Sequence, residues 1–254
     1  MGPSSDRAEG EVSFGFSPGD VVVVTGAGSG IGQATARNAA RVGLAVAAWD
    51  VNEAAIESTV TEIVKAGGTA RAFRADVTDA GAVESGFAET ALLGEPRFLV
   101  NNAGPPSSEA LEFDHALAMA AGSMRRMTET WLGRTPPEGA SVVSIASVAG
   151  NFIGTDSDWY CASKAAIAGY TRYLAARHGG RIRANAVAPG MTDTPRLAGF
   201  ATSDVGQRIL ARVPMHRMAT SDEIAWAVLF LLSPLASYIN GVVLPVDGGW
   251  MTAQ

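Results

Sequence analysis

The chain has 254 residues, 47% of them hydrophobic and 17% charged, which suits a compact folded protein and excludes a disordered one. Its formal net charge of -6 leaves no basic face for a phosphate backbone, so no nucleic-acid partner is expected. Cys161 is the sole cysteine, which excludes an internal disulfide, and His115, His178 and His216 lack the spacing of a ligand set, so no metal is expected.

Residues 1–18 are polar, with Gly, Pro and Ser, and have no basic stretch leading into an apolar one. They are expected to form a flexible tail rather than a secretory signal. Met1-Gly2 opens a myristoylation pattern that Asp6 breaks, and no apolar run approaches the ~20 residues needed to cross a bilayer. A cytoplasmic location without membrane attachment is the expectation.

From residue 21 onward two kinds of segment alternate. Short β-branched or apolar runs predict buried strands over 21–25, 44–49, 69–74, 98–101, 141–145, 182–187 and 242–246. Helical spacing fills 31–42, 53–66, 80–92, 113–131, 159–178 and 221–232. Gly43 stops the first helix, Gly67-Gly68 the second, and Thr78 or Asp79 caps the third. This repetition predicts an α/β fold, a Rossmann-type, doubly wound parallel sheet of about seven strands with helices on both faces. No linker or repeat interrupts it, so residues 19–254 read as a single domain. The least regular internal stretch, 189–203, follows the sixth strand, where open α/β sheets bind ligands, and is a candidate lid.

The first strand runs into Thr25-Gly26-Ala27-Gly28-Ser29-Gly30-Ile31-Gly32 and then a helix. Glycines let the backbone turn tightly and approach a pyrophosphate seated on the free N–H groups of the helix. A merely tight turn needs one or two glycines, and this one has four in seven residues. No Gly-Lys pair occurs in the chain, which excludes a P-loop. Asp50 ends the second strand, 18 residues after Gly32, where a carboxylate can hold ribose hydroxyls and repel a 2′-phosphate. The plainer alternative is an Asp that starts a turn before Asn52.

Tyr160 and Lys164 stand four residues apart on a predicted helix, hence on one face. A free phenol has a pKa of ~10 and shuttles protons poorly near neutrality. An adjacent ammonium favours the phenolate. The chain uses 17 arginines but only two lysines, Lys65 and Lys164, which sets Lys164 apart. Ser147 ends the fifth strand, 13 residues before Tyr160.

In order and spacing these features resemble the short-chain dehydrogenase/reductase family. The glycine turn matches its T-G-x-x-x-G-x-G, Asn101-Asn102-Ala103-Gly104 its N-N-A-G, and Pro189-Gly190-Met191-Thr192-Asp193-Thr194 its P-G-x-x-x-T. Gly241 and Val246-Asp247-Gly248-Gly249 match its last strand, so the resemblance runs from residue 25 to 249. It implies a catalytic set of Ser147, which binds the substrate oxygen, Tyr160 as acid/base, and Lys164, which lowers the tyrosine's pKa and holds the nicotinamide ribose. It implies NAD as cofactor, with Ser29 standing where NADP-dependent members often carry Arg or Lys. The implied cofactor contacts are Gly26, Ser29, Gly30, Ile31, Gly32 and Asp50 on the first two strands' turns. Asp76-Val77 would take the adenine, although a capping role for Asp76 is a rival. Asn102, Ala103, Gly104, Tyr160, Lys164, Pro189, Gly190, Thr192 and Thr194 complete that set.

The implied activity is interconversion of a small-molecule secondary alcohol and a ketone, in a homotetramer or homodimer. Pro105, Pro106, Asn151, Phe152, Trp159, Met191, Leu197 and Phe200 are candidate pocket residues, mostly apolar, suiting an apolar substrate. Two other activities compete: a 3-oxoacyl-carrier-protein-type reductase, and a regulator that binds NAD without turnover. One departure favours the regulator. The family's relay asparagine on the long helix is replaced by Ala120, and no Asn occurs between Asn102 and Asn151. Ser123 is a candidate to hold water in its place.

Overall fold

The computed structural model describes residues 13–153 and 155–252. Seven strands form one sheet: β1 (Val21–Thr25), β2 (Ala45–Asp50), β3 (Ala70–Arg74), β4 (Pro96–Asn101), β5 (Ala140–Ile145), β6 (Ile182–Pro189) and, at its edge, β9 (Val243–Val246). The helices between them are α1 (Gly30–Arg41), α2 (Glu53–Lys65), α3 (Ala80–Thr90), α4 (Phe113–Leu117), α5 (Ser123–Gly133), α6 (Asp158–His178), α7 (Asp204–Leu210) and α8 (Ser221–Leu232). Two short strands, β7 (Thr192–Asp193) and β8 (Ala219–Thr220), pair with each other apart from the main sheet.

All seven main strands run parallel in the order β3-β2-β1-β4-β5-β6-β9. The order reverses between β1 and β4, so their carboxyl ends diverge and open a cleft, the place where such sheets bind ligands. β1 is buried along its whole length because both faces are covered. Val22 and Val24 join Ile56 of α2 and Ile224 and Val228 of α8 in one core, while Val23 joins Phe87 of α3, Trp131 of α5 and Leu174 of α6 in the other. Each fully buried aliphatic side chain contributes about 1.5–3 kcal/mol, so the continuous apolar strands anchor both layers. The two largest buried rings also find partners for their N–H groups: Trp49 donates to Thr90 Oγ1 at 3.1 Å and Trp131 to the Pro96 carbonyl at 2.7 Å.

Two features depart from the sequence expectation. The packed body begins before residue 19: Phe16 is buried with its ring 5.2 Å from that of Phe98, and Phe14 stacks on Trp226 at 5.9 Å. Aromatic burial outweighs the polar residues around them, and of the expected tail residues 1–12 lie outside the described residues. The expected continuous helix over 113–131 is also broken. A π-helical turn, Ala118–Gly122, separates α4 from α5 and holds Ala120 in its middle. A π turn keeps helical dihedrals while widening one turn, so residue spacing does not reveal it, and such turns concentrate at functional sites.

Candidate active site

The turn after β1 is held by side chains from the divergence point itself. Thr25 Oγ1 donates to the Val100 carbonyl at 3.1 Å and accepts from the backbone N–H groups of Asn102 and Ala103 at 2.9 and 3.1 Å. Asn102 Nδ2 donates to the carbonyls of Thr25 and Gly26 at 2.9 and 3.3 Å, supplying bonds that the separating strands have lost. This tight staple dictates glycine. Gly26 has φ +67°, and a Cβ there would fall 2.6 Å from Asn102 Nδ2. A Cβ on Gly32 would run into the Gly26 carbonyl.

α1 begins immediately beyond. Its N-cap residue Ser29 makes no side-chain capping bond and its first turn carries no acid, so helix N–H groups remain free for an anionic ligand. Asp50, at the end of β2, accepts from Gly28 N through Oδ2 at 3.0 Å and from Asn52 N through Oδ1 at 2.9 Å. Turn, helix end and carboxylate share one cavity of about 360 Å³. Such a volume, with free N–H groups at one side and a carboxylate beside them, fits the diphosphate and adenosine ribose of a dinucleotide.

The opposite wall carries the polar residues expected to do chemistry. α6 presents Tyr160 and Lys164 one turn apart, and β5 leads into Ser147; all three line the cavity. Lys164 Nζ donates to the Ile145 carbonyl at 2.8 Å and lies 5.5 Å from the centre of the Tyr160 ring. Asn151 joins the two elements, with Nδ2 donating to the carbonyls of Ser147 and Lys164 at 2.8 and 3.0 Å. Burial pushes the Tyr160 phenol above its usual pKa, opposed by its bond with the Ser147 hydroxyl and by the charge of Arg196. Burial, with the Arg196 charge second, lowers Lys164 from 10.5 to about 8. The expected lowering of Tyr160 by Lys164 is therefore corrected: the ammonium is turned toward the Ile145 carbonyl, and desolvation of the phenol prevails.

Most expected site residues meet in this cavity: Gly26, Ser29, Gly30, Ile31, Asp50, Asn102, Pro189, Gly190, Thr192 and Thr194, besides the three named above. Gly32 lies behind the turn, where its role is close packing. Asp76 and Val77 stand outside the lining. Asp76 Oδ1 accepts from the Thr78 backbone and hydroxyl at 2.8 and 2.7 Å, and Asp79 caps α3, so Asp76 serves its own turn. Ala103 and Gly104 line a separate space of about 10 Å³ with Ala120, Trp159, Ser163 and Lys164. Asn101 Oδ1 and Ser163 Oγ in that space are buried without a hydrogen-bond partner. Ser123 is occupied elsewhere, its hydroxyl donating to the Met119 and Ala120 carbonyls.

Of the candidate pocket residues, Pro106 and Leu197 line the main cavity, whereas Met191 lies in a second hollow with Val213 and Met215. Phe152 is largely exposed, and Asn151 is a structural bridge rather than lining. Gly28 and Arg196 are among the lining residues that the sequence reading did not name as site residues. Gly28 donates to Asp50, a bond its place inside the glycine turn hinted at. Arg196 lines the cavity two residues beyond Thr194 and carried no local signal among 17 arginines.

Fold and cleft together define a dinucleotide-binding α/β protein. The family described as Enoyl-(Acyl carrier protein) reductase matches residues 26–251. The 2-(S)-hydroxypropyl-CoM dehydrogenase 3 of Xanthobacter autotrophicus is 36% identical over 248 residues, 92% of this chain and 97% of its own. The structure of a 7α-hydroxysteroid dehydrogenase complexed with NADH and 7-oxo glycochenodeoxycholic acid superposes with a TM-score of 0.85 at 31% identity, covering 91% of this chain and 94% of that one. A short-chain dehydrogenase from Burkholderia cenocepacia J2315 in complex with NADP gives a TM-score of 0.84 at 31% identity, over 92% and 98% of the two chains. The chain belongs to the short-chain dehydrogenase/reductase family.

Among the described residues no helix is long and apolar enough to cross a membrane.

Proposed function

We propose that this protein is an NAD(H)-dependent oxidoreductase that interconverts a secondary alcohol and a ketone. The observation that carries the reading is the convergence of Ser147, Tyr160 and Lys164 on one wall of a cavity whose other wall is the glycine turn with Asp50. A nicotinamide dinucleotide bound there would supply or accept the hydride. The chain's own residues do the rest. The free N–H groups of α1 hold the diphosphate, and Asp50 takes the ribose hydroxyls and repels a 2′-phosphate, which favours NAD over NADP. The Ser147 hydroxyl hydrogen-bonds the substrate oxygen beside Tyr160 Oη. That phenol donates its proton as the ketone becomes an alcohol, or accepts one in the reverse direction. Its raised pKa keeps it protonated and ready to donate. Lys164, held by the Ile145 carbonyl beside the Tyr160 ring, would hold the nicotinamide ribose.

The test is a fluorescence titration with NADH and NADPH followed by a broad alcohol and ketone screen, on the unmodified protein and Tyr160→Phe. Tighter binding of NADPH, or turnover surviving in the variant, would sink the reading.

A carrier-protein-linked reductase is favoured by the description of the matching family, but Asp50 argues against NADPH. A purely NAD-binding regulator rests on Ala120 alone. For assembly, we infer a homodimer or homotetramer, on the unpaired edge of β9 and the exposed Trp226, Phe230, Leu235 and Tyr238; light scattering in solution tests it. A cytoplasmic location is the matching proposal, checked by cell fractionation.

A further inference from the structure

Arg196 has no part in the chemistry above, yet it stands in the same cavity. It sits in the short turn Pro195–Leu197, directly after Thr194, and Nη2 donates to the Gly104 carbonyl at 2.8 Å. That bond ties the segment after β6 to the segment after β4 across the mouth of the cleft, and it engages one of the five donors of a guanidinium. Among the described residues Arg196 has no ion-pair partner, unlike Arg37, Arg97, Arg134 and Arg217, each of which meets a carboxylate. Among the described residues Asp50 is the only acid lining the cavity, and both its oxygens are held by backbone N–H groups of the adenosine side.

The reacting end of the cavity thus has two cations, Lys164 and Arg196, and no anion. Their proximity is felt: the charge of Arg196 disfavours the protonated form of Lys164 and favours the ionised form of Tyr160. Arg196 is exposed, so water screens this repulsion while the cavity is open. A neutral ligand that displaces that water would leave both cations without a counter-charge.

We propose that Arg196 is a specificity residue that selects substrates bearing an acidic group, a carboxylate above all, whose charge it meets with its free donors. The proposal rests on the oxidoreductase reading for its substrate and on geometry for its subsite. A planar guanidinium fork matches a carboxylate bidentately, which a lysine in the same place would not do. The acid also offsets the positive charge gathered at the reacting end. The dinucleotide's diphosphate is the competing anion, and the experiment separates the two.

Three keto acids with different spacing between carbonyl and acid serve as probes: levulinate, acetoacetate and benzoylformate, each paired with its methyl ester. Binding to the NADH complex is measured by calorimetry on Tyr160→Phe, with and without Arg196→Gln or Arg196→Lys, and turnover is measured on chains with Tyr160 intact. At least one acid should bind more tightly than its ester, and Arg196→Gln should reduce that preference about ten- to a hundredfold. Arg196→Lys should retain part of it, and NADH affinity should hold within about twofold in both variants. Equal affinity for every acid and ester overturns the proposal. So does a loss of NADH affinity as large as the loss of acid affinity, which would assign Arg196 to the cofactor. If acids bind through Arg196 but Tyr160→Phe still turns them over, the catalytic reading falls and the subsite stands.

Discussion

The two ends of the cavity are built by opposite means. At the dinucleotide end the contacts come from backbone, and the polar side chains that shape the turn are held by two or more bonds: Thr25 by three, Asn102 by two from its amide, Asp50 by two. At the substrate end the lining is side chains on irregular segments, with Pro106, Arg196 and Leu197 joined across the cleft by the single Arg196–Gly104 bond. The first end fixes one shape for a ligand shared by a whole family. The second can change its preference by exchanging a side chain, with little consequence for the fold.

The sharpest way to break this division is Tyr160→Phe. It removes the exchangeable proton and hardly any volume, so turnover should drop by about 10²–10⁴ while NADH affinity stays, because the dinucleotide end does not depend on the phenol's proton. Lys164→Arg should also be severely impaired, since a guanidinium cannot reproduce the compact donor aimed at the Ile145 carbonyl. Steady-state kinetics beside a fluorescence titration checks both. Loss of NADH affinity in step with turnover would show that the two ends do not work independently.

The same division explains what could be read before folding. β1 was legible to the residue because four consecutive valines, buried on both faces, lead straight into Thr25 and the glycine turn. The glycine turn was legible because steric overlap at Gly26 and Gly32 permits one residue type. The Tyr160–Lys164 pair was legible from helical spacing. The rest depended on contacts between distant segments. Arg196 meets Gly104 and faces Lys164 only once the sheet brings the ends of β4, β5 and β6 together. Asp76 matched a pattern, but it stands outside the cavity lining and its Oδ1 accepts from Thr78 two residues on, a choice of rotamer and turn that no pattern encodes. Phe14 and Phe16 sat among polar residues and read as tail until Trp226 and Phe98 received them.

Next in size is cofactor choice, which acts on the dinucleotide end alone. Asp50→Ser with Ser29→Arg removes a carboxylate and adds a phosphate partner, and should shift the NADPH-to-NADH affinity ratio upward by about ten- to a hundredfold. Part of the shift will be offset, because Asp50 also holds Gly28 and Asn52. An unchanged ratio, measured by paired titrations, would remove Asp50 from the ribose role.

A smaller effect links the reacting end to stability. Lys164 is lowered from 10.5 to about 8 in the fold, chiefly by burial. Between those values the unfolded chain binds more protons than the folded one, so this group makes stability rise with pH through that window, and its cost is present in full below pH 8 or so. Urea unfolding of the protein and of Lys164→Met across that range gives the difference curve. A flat or falling difference would mean that the ammonium is not desolvated as the geometry indicates.

The smallest expected effect concerns Ala120. It lies in the π turn, buried, against the space of about 10 Å³ that also meets Tyr160, Ser163 and Lys164. Such a space is at the lower limit for one water molecule, and a carboxamide exceeds it. Ala120→Asn must therefore push its neighbours apart, at about 1–3 kcal/mol for overpacking a tight site. Against this, the new amide can donate to Asn101 Oδ1, an oxygen otherwise buried without a partner. The two effects oppose each other, so the net stability change should be modest and NADH affinity unaltered. Turnover should move less than tenfold, because in the proposed reading the phenol and the serine hydroxyl act on the substrate directly, and Ala120 does not line the main cavity. What should move is the basic limb of the pH–rate profile, since the added dipole sits beside Lys164, whose pKa falls in that limb. A gain of orders of magnitude in Ala120→Asn would carry the opposite meaning: the natural chain would then hold a dinucleotide without working on it, and the cleft would be a sensor.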